Sequence, residues 1–299
     1  MFNNYIFIYI LFNYNIFYNN LNDNYIFYNI LFNYNLYNKN LFNKKSNNNL
    51  IYNNIINNNV IYMDIQNNLN LIYEKLLETY SYQGWWPFLD HEGINPTKTG
   101  AINGYHPKDY DFPKNRNQKF EVILGSILTQ NTAWPSVETA LINLNKLIEF
   151  NPESLIDFAN ENEKDFKDAI RCAGFVNQKS EYIKNISNFY IDLGDIVPSR
   201  KDLLTVKGIG NETADSILLF AHKQKEFKVD AYTKRIFGYL GYINEKDNYM
   251  SIKKLFETNF SGDVNMFQEY HALIVEHAKR YYSKKPYGLN DKILNEFKI

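Results

Sequence analysis

The residue on which chemistry could depend is Asp230, a lone carboxylate in the stretch KVDAYTKRIF. It precedes a predicted helix that carries Tyr232, Ile236 and Tyr239 on one side, so it stands at the N-cap position. For an isolated Asp, capping alone would be the simpler interpretation. A carboxylate there can also stabilise a positive charge that develops as a bond breaks, or orient an attacking water. The two roles are compatible, so a cap at Asp230 leaves this residue as a candidate for chemistry.

A glycine turn between two predicted helices, VKGIGNETADSILLFA, precedes this residue. Gly208 and Gly210 suit a turn that needs a positive φ angle or the close approach of a ligand. The second helix should begin at Asn211 and bury its apolar face, with Glu212 and Asp215 in the exposed first turn. Such a hairpin would direct unpaired amides outward, where they favour a phosphate oxygen. An ordinary corner between two helices would be the better interpretation if this motif stood alone.

With these motifs, the chain resembles the helix-hairpin-helix DNA glycosylases of the endonuclease III superfamily. Within it, the chain is similar to the 3-methyladenine DNA glycosylase III-like branch, which lacks an iron–sulfur cluster. The resemblance implies an all-α, two-lobed fold with the active-site cleft between the lobes and Asp230 facing that cleft. The matching blocks, between about Tyr82 and Lys285, are GWWP at Gly84–Pro87, FEVILGSILTQNTAW at Phe120–Trp134, CAGFVNQK at Cys172–Lys179, the hairpin, and VDAYTKRIF at Val229–Phe237.

The resemblance implies that the partner is double-stranded DNA containing a damaged base. Gln130 would be the wedge, because an amide that donates and accepts can pair with the base left behind when its partner is extruded. A helix-end cap is the alternative for this residue. The residues expected to contact DNA phosphate are Lys207, Gly208, Gly210, Asn211 and Thr213.

The implied base pocket is aromatic and consists of Trp85, Trp86, Pro87 and Trp134. Electron-rich indole faces attract a cationic ring, and N-alkylated purines such as 3-methyladenine carry positive charge. The same charge makes the base a good leaving group. Core packing is the alternative for at least one of the two adjacent tryptophans, since neighbouring side chains rarely face the same way.

Glu212 occupies the position at which bifunctional members of the superfamily carry a lysine that forms a Schiff base. A carboxylate cannot form an imine, so we expect a monofunctional glycosylase that leaves the abasic site intact. Lys207 is a weak candidate for a substitute amine. Two alternatives stay open: a pyrimidine-lesion or mismatch glycosylase with lyase activity, and a non-catalytic helix-hairpin-helix DNA-binding protein, which would not need Asp230.

Helical patterns dominate from Met63 onward and predict the elements that position these residues. A helix over Phe120–Thr132 should bury a stripe of apolar side chains and present Gln130 at its end. We predict a central helical domain at 119–229 and a second lobe from 63–118 plus 230–299. The long loop at 88–118 could contribute His106, Asp109 or Tyr110 to the site.

Composition limits the remaining classes. The net charge is −1, and Cys172 is the only cysteine, which excludes an internal disulfide and a four-cysteine cluster. We therefore expect an intracellular monomer that acts with the DNA, with no cofactor, no metal and no membrane; a monovalent cation at the hairpin stays open. Residues 1–62 are low in complexity, and we expect them to be a disordered extension or translation upstream of the true start. A membrane anchor there is the weaker alternative.

Overall fold

The described part of the protein, in a computed structural model, is residues 65–96 and 103–299; its regular secondary structure is helical, with one isolated bridge between Gly93 and Gly104. The prediction of an all-α fold is confirmed, whereas the predictions for residues 1–62 lie outside the described residues. The α-helices are α1 (65–80), α2 (Arg116–Leu128), α3 (Trp134–Asn145), α4 (Pro152–Glu161), α5 (Glu163–Ile170), α6 (Val176–Leu193), α7 (Arg200–Thr205), α8 (Asn211–Ser216), α9 (Ala231–Leu240), α10 (Tyr249–Asn259) and α11 (Val264–Tyr281).

Helix α2 is buried on all sides from Phe120 to Leu128, because α3, α6 and the turn that continues α8 pack around it. It starts earlier than the sequence indicates, since the side chain of Asn115 accepts a hydrogen bond from the Gln118 amide and caps the helix. It also ends earlier, at Leu128. Gln130 therefore lies in the turn that follows α2, next to Asn131, whose φ is +51°.

The hairpin joins α7 to α8, and α8 begins at Asn211 as predicted. Gly208 has a φ of +100°, and a Cβ there would overlap the ring of Tyr182, so both the backbone angle and the space require glycine. Gly210 has a φ of −93° and open space around its Cα. The prediction of a positive φ therefore holds at Gly208 only.

Asp215 corrects the prediction of an exposed first turn in α8. Its side chain is 0% exposed, because Arg200, Lys253 and Tyr249 surround the carboxylate. The helical period alone placed it opposite the apolar stripe, and the period does not reveal a cation supplied by another helix. After Ser216 the chain widens into a π-helical turn over Ile217–Ala221 that is completely buried.

Helices α9 and α11 form the other large contact near the site. Helix α11 is buried along most of its length and carries polar side chains, including Glu269 and His271, into the interior. The described residues form one compact unit, and the division into two lobes stays a prediction. Among the described helices, none has the length and apolar character needed to cross a membrane.

Candidate active site

Asp230 caps α9 as the sequence predicts, and it does so through one oxygen. Its Oδ1 accepts from the Thr233 amide at 2.7 Å and from the Thr233 hydroxyl at 3.0 Å. Within the described chain, Oδ2 of this half-buried side chain accepts no hydrogen bond. The cap fixes the orientation of the carboxylate and leaves its second oxygen available for a substrate or a water.

The extended segment before Asp230 is held by side chains from α10 rather than by a neighbouring strand. The amide of Phe227 donates to Glu257 at 2.9 Å, and the amide of Val229 donates to the hydroxyl of Tyr249 at 3.3 Å. A buried backbone amide without a partner costs free energy, so these bonds favour one path for the segment. The position of Asp230 is therefore set from both sides.

A cavity of about 370 Å³ opens between the hairpin, the turn after α2 and the start of α6. Glu212 lies on its wall, and so does Lys228, whose ammonium is 3.8 Å from the Glu212 carboxylate. Lys228 was a sequence candidate only for general contact with DNA, as part of a lysine cluster with Lys223 and Lys225, and its place beside Glu212 was not predicted; its proximity to Asp230 along the chain was the available signal. The other prominent lining residues are Gln130, Asn131, Phe175 and Gly208.

The electrostatics of this cavity couple Glu212 to Asp230. Loss of solvent raises the pKa of Glu212; Lys228 and Lys234 oppose the rise, and the negative charge of Asp230 adds to it. The side chain of Glu212 is still 54% exposed, so water screens part of this effect. The cavity wall therefore carries Glu212, Lys228 and Lys179, and Asp230 acts on Glu212 through its charge without lining the cavity.

Gln130, the predicted wedge, is bound to the hairpin. Its amide nitrogen donates to the Gly208 carbonyl and to the Thr213 hydroxyl, both at 3.0 Å. It therefore caps no helix, and its amide protons are occupied. Its role as a wedge stays a prediction, and pairing with a base would require it to exchange these partners. The neighbouring Asn131 is exposed.

Phe175 is a second surface residue of this cavity that sequence analysis missed. Its side chain is 63% exposed, and its backbone is left-handed, with a φ of +48°. A large aromatic ring exposed beside Gln130 and Asn131 is suited to stack on a nucleobase. The signal in the sequence was an aromatic residue directly after Gly174 in CAGFVNQK.

The predicted phosphate-binding residues differ in how exposed they are. The ammonium of Lys207 is exposed and 2.6 Å from Glu181. Asn211 accepts from Arg200 through its side chain, and the Thr213 hydroxyl is buried against Gln130. Contact with phosphate through Gly210 or through the uncapped first turn of α8 is compatible with this arrangement, and the assignment stays a prediction.

The three tryptophans lie together. The ring of Trp134 is 4.9 Å from that of Trp85 and 5.1 Å from that of Trp86. Trp86 is only 2% exposed and packs against Gly125, whereas Trp85 and Trp134 are half-buried. Core packing therefore accounts for Trp86, as the alternative interpretation allowed, and Pro87 is also buried.

Buried polar side chains hold both ends of the loop that carries Trp85 and Trp86, residues 83–89, which we call the tryptophan loop. The Gln83 amide donates to Glu269 at 2.5 Å, and the Leu89 amide donates to Glu121 at 3.0 Å. His106 lies 2.8 Å from the Trp86 carbonyl, so the long loop contributes a support for the tryptophans.

The tryptophans are linked to the Asp230 region through the π-helical turn. Phe220 contacts Trp86 on one side and His271 on the other. His271 is buried, bonds to the backbone of Lys228 and interacts with Asp230. The tryptophan cluster and Asp230 are therefore connected through Phe220 and His271, and their membership in one site stays a prediction.

The segment after α11 is the place where other members of the resembled superfamily carry their iron–sulfur loop. Here Asp291 is buried and accepts from Tyr282 at 2.8 Å, with His277 also 2.8 Å away. The chain's one cysteine, Cys172, is exposed and follows α5. These residues do not fit a cluster held by four thiolates.

The chain is similar to known DNA repair proteins in sequence and in fold. The family model described as HhH-GPD superfamily base excision DNA repair protein matches residues 124–261. A protein of Methanocaldococcus jannaschii named as a DNA repair glycosylase is 39% identical over 225 residues, which are 72% of this chain and 88% of that protein. Endonuclease III of Sulfolobus acidocaldarius is 35% identical over 179 residues, which are 58% of this chain and 78% of that enzyme.

A solved structure, a non-covalent endonuclease III–DNA complex, aligns with a TM-score of 0.54 over 74% of this chain and 88% of that chain. At 16% identity, this likeness shows the fold alone. The sequence relatives carry the family assignment, since the first is 39% identical and is covered almost to its full length. The chain belongs to the HhH-GPD superfamily of base excision DNA repair proteins and is a DNA glycosylase.

Proposed function

We propose that the chain is a monofunctional DNA N-glycosylase that hydrolyses the bond between an alkylated purine and its sugar in double-stranded DNA. The observation that carries the proposal is Asp230, which caps α9 through Oδ1, leaves Oδ2 without a hydrogen bond in the described chain, and interacts electrostatically with Glu212 on the cavity wall. A carboxylate in that position stabilises the cationic sugar that develops as the bond breaks, or orients the attacking water. The protein acts as a monomer and without an iron–sulfur cluster.

The rim of the cavity supports the extrusion of a base. Phe175 offers an exposed ring that can stack in the opened duplex, and Gln130 and Asn131 offer amides on the adjacent turn. Hairpin amides near Gly210 would receive the phosphate, because the first turn of α8 has no side-chain cap. A monovalent cation at the hairpin is compatible with this role.

The preference for alkylated purines is supported by the tryptophans. Trp85 and Trp134 are only half-buried, and both belong to a group of aromatic rings that includes Tyr105. A cationic base gains from contact with such rings, whereas a neutral base gains less. The buried Trp86 supports the other two.

The first test concerns the absence of lyase chemistry. We expect borohydride to trap no covalent enzyme–DNA adduct, because Glu212 replaces the amine that would form the imine. Two lysines line the cavity, and the ammonium of Lys179 donates to three oxygens, so Lys228 is the amine to control. Lys207 is bound to Glu181 outside the cavity. Efficient trapping by the wild-type protein would contradict the monofunctional proposal and favour the lyase alternative, and its loss in Lys228→Gln would identify Lys228 as the amine.

The second test concerns the lesion. A panel of duplexes, each with one damaged base, identifies the base released fastest, and we expect an N-alkylated purine. Trp134→Leu should then lower the specificity for that cationic base by about 0.5–2 kcal/mol, and that for a neutral base by less. Trp86→Leu is the matched control, because a core tryptophan should lower both rates together. Equal losses for both substrates at Trp85, Trp86 and Trp134 would contradict a pocket that recognises charge.

A further inference from the structure

A continuous line of polar contacts connects the hairpin to the segment that carries Asp230. At the hairpin, an Arg200 nitrogen donates to the side chain of Asn211 at 2.8 Å. The same guanidinium binds Asp215 through two nitrogens, at 2.7 and 3.2 Å. Asp215 then accepts from the Tyr249 hydroxyl at 2.7 Å.

Tyr249 is the bridge of this line. Its hydroxyl donates to Asp215 and accepts from the amide of Val229, the residue directly before Asp230. Burial and the charge of Asp215 raise the pKa of Tyr249 well above its ordinary value, so the hydroxyl keeps its proton and remains a donor. One phenol oxygen therefore joins helix α8 of the hairpin to the backbone beside the candidate catalytic carboxylate.

The charges around this bridge are compensated. Asp215 is completely buried, and the ammonium of Lys253 lies 3.4 Å from it, in addition to Arg200. Lys253 also pairs with Glu257, which accepts from the Phe227 amide on the same segment. Removing the Tyr249 hydroxyl would consequently leave the Asp215 charge paired, and would chiefly release Val229.

We propose that Tyr249 is a positioning residue for base excision, which sets the carboxylate of Asp230 relative to the hairpin that holds the DNA. The proposal rests on the catalytic role proposed for Asp230. The line runs from Asn211, at the first turn that would face a phosphate, to Val229, one residue from the carboxylate. Displacement of a reacting group by a small distance can cost far more in rate than in binding.

A purely structural role for Tyr249 makes a different prediction. Loss of one hydrogen bond lowers stability by a modest amount wherever it occurs. It would then leave the rate of base release unchanged in the molecules that remain folded. Tyr270 provides the matched control, because its ring is buried and its hydroxyl donates to the Leu69 carbonyl at 3.0 Å, with no link to Val229.

The experiment compares Tyr249→Phe with Tyr270→Phe in the full chain. The substrate is a duplex with one N-methylated adenine, or the lesion that the panel shows to be released fastest, with enzyme in saturating excess. Three quantities are measured at one temperature well below the melting points. They are the single-turnover rate of base release, the Kd for a duplex with a stable abasic-site analogue, and the Tm.

We expect Tyr249→Phe to lower the single-turnover rate roughly 10- to 100-fold, with the Kd for abasic DNA nearly unchanged. Tyr270→Phe should lose a similar amount of Tm and keep the wild-type rate. A wild-type rate in Tyr249→Phe, or equal rate losses in the two variants, would overturn the proposal.

Two further variants keep the result interpretable. If Tyr249→Phe does not fold, Arg200→Lys tests the same line, because a lysine can pair with Asp215 but cannot also make the three guanidinium bonds. It should reduce the rate more than the affinity, and an unchanged rate would overturn the proposal. Asp230→Asn separates the two hypotheses. If this variant releases base normally, the catalytic proposal fails; if it is inactive and Tyr249→Phe is normal, only the positioning role fails.

Discussion

The tryptophan loop and the segment at 226–230 are both irregular, and side chains from helices hold both of them. They differ in whether the carboxylates that hold them belong to a network of ion pairs. Glu269 and Glu121 accept backbone amides of the tryptophan loop, and in the described chain neither forms an ion pair. The segment before Asp230 is held instead by groups that are linked to the paired charges of Asp215 and Lys253. An unpaired buried carboxylate can take up a proton, whereas a paired one keeps its charge.

The pKa values follow this difference. Burial raises the pKa of Glu269 to about 7 and that of Glu121 to about 8. The hydrogen bonds that these carboxylates accept from backbone amides lower both pKa values, but by less. For Lys253, burial acts to lower the pKa, but Asp215, Glu226 and Glu257 together raise it above the ordinary value. We therefore expect the tryptophan loop to respond to pH near neutrality and the Asp230 segment to respond to loss of a charge partner.

The largest expected effect comes from breaking the paired network. Asp215→Ala should lower the free energy of unfolding by about 3–5 kcal/mol, because it leaves Arg200 and Lys253 without their shared partner in the interior. Urea unfolding at constant pH measures this change from the shift in midpoint. Glu153→Gln, which removes an exposed partner of Arg116, is the control and should change the midpoint little. Equal effects of the two substitutions would mean that burial does not distinguish them.

A smaller effect on the free energy of unfolding should appear when Glu269, which has no ion-pair partner in the described chain, is replaced by a neutral residue. The pKa of Glu269 is higher in the folded protein than in the unfolded chain. The contribution of Glu269 to the free energy of unfolding is therefore complete below pH 4.5 and is lost as the pH rises to about 7. Glu269→Gln keeps an acceptor for the Gln83 amide but cannot ionise. The wild type should lose on the order of 3 kcal/mol of unfolding free energy through this group across that pH range, and the variant should not. The measurement is the free energy of unfolding of both proteins from pH 4.5 to 8.

The difference between the two proteins is the relevant quantity. His222 and His271 have pKa values lowered by burial, to about 4 and about 3, so they increase stability as pH rises through the same range. Their contribution is common to both proteins and cancels in the difference. If wild type and Glu269→Gln have parallel pH profiles, Glu269 is ionised in the folded protein, and the contrast between the two segments is lost.

Local patterns in the sequence predicted the elements around Asp230 well. The cap at Asp230, the start of α8 at Asn211 and the apolar stripe of α2 each depend on residues within a few positions of one another. The resemblance between motifs supplied the family, which the comparison with known proteins confirms. The assignment of roles to individual site residues stays a prediction.

Contacts between distant parts of the chain could not be predicted in the same way. The burial of Asp215 depends on Tyr249 and Lys253, which follow it by more than a helix length, and no helical period encodes them. The bond from Gln130 to Gly208 likewise joins two motifs that were interpreted separately. The burial of Asp215 and the position of the Gln130 side chain therefore depend on side-chain pairing between distant elements, which periodicity does not predict.

The most direct measurement of the central claim is base release by Asp230→Asn in a single turnover, beside its affinity for abasic DNA. Asparagine can still cap α9 by accepting the Thr233 amide, but it cannot supply a negative charge to a cationic sugar. We predict that base release is abolished while the affinity stays within about tenfold, or roughly 1.4 kcal/mol, of the wild-type value. Release at the wild-type rate would remove Asp230 from the mechanism.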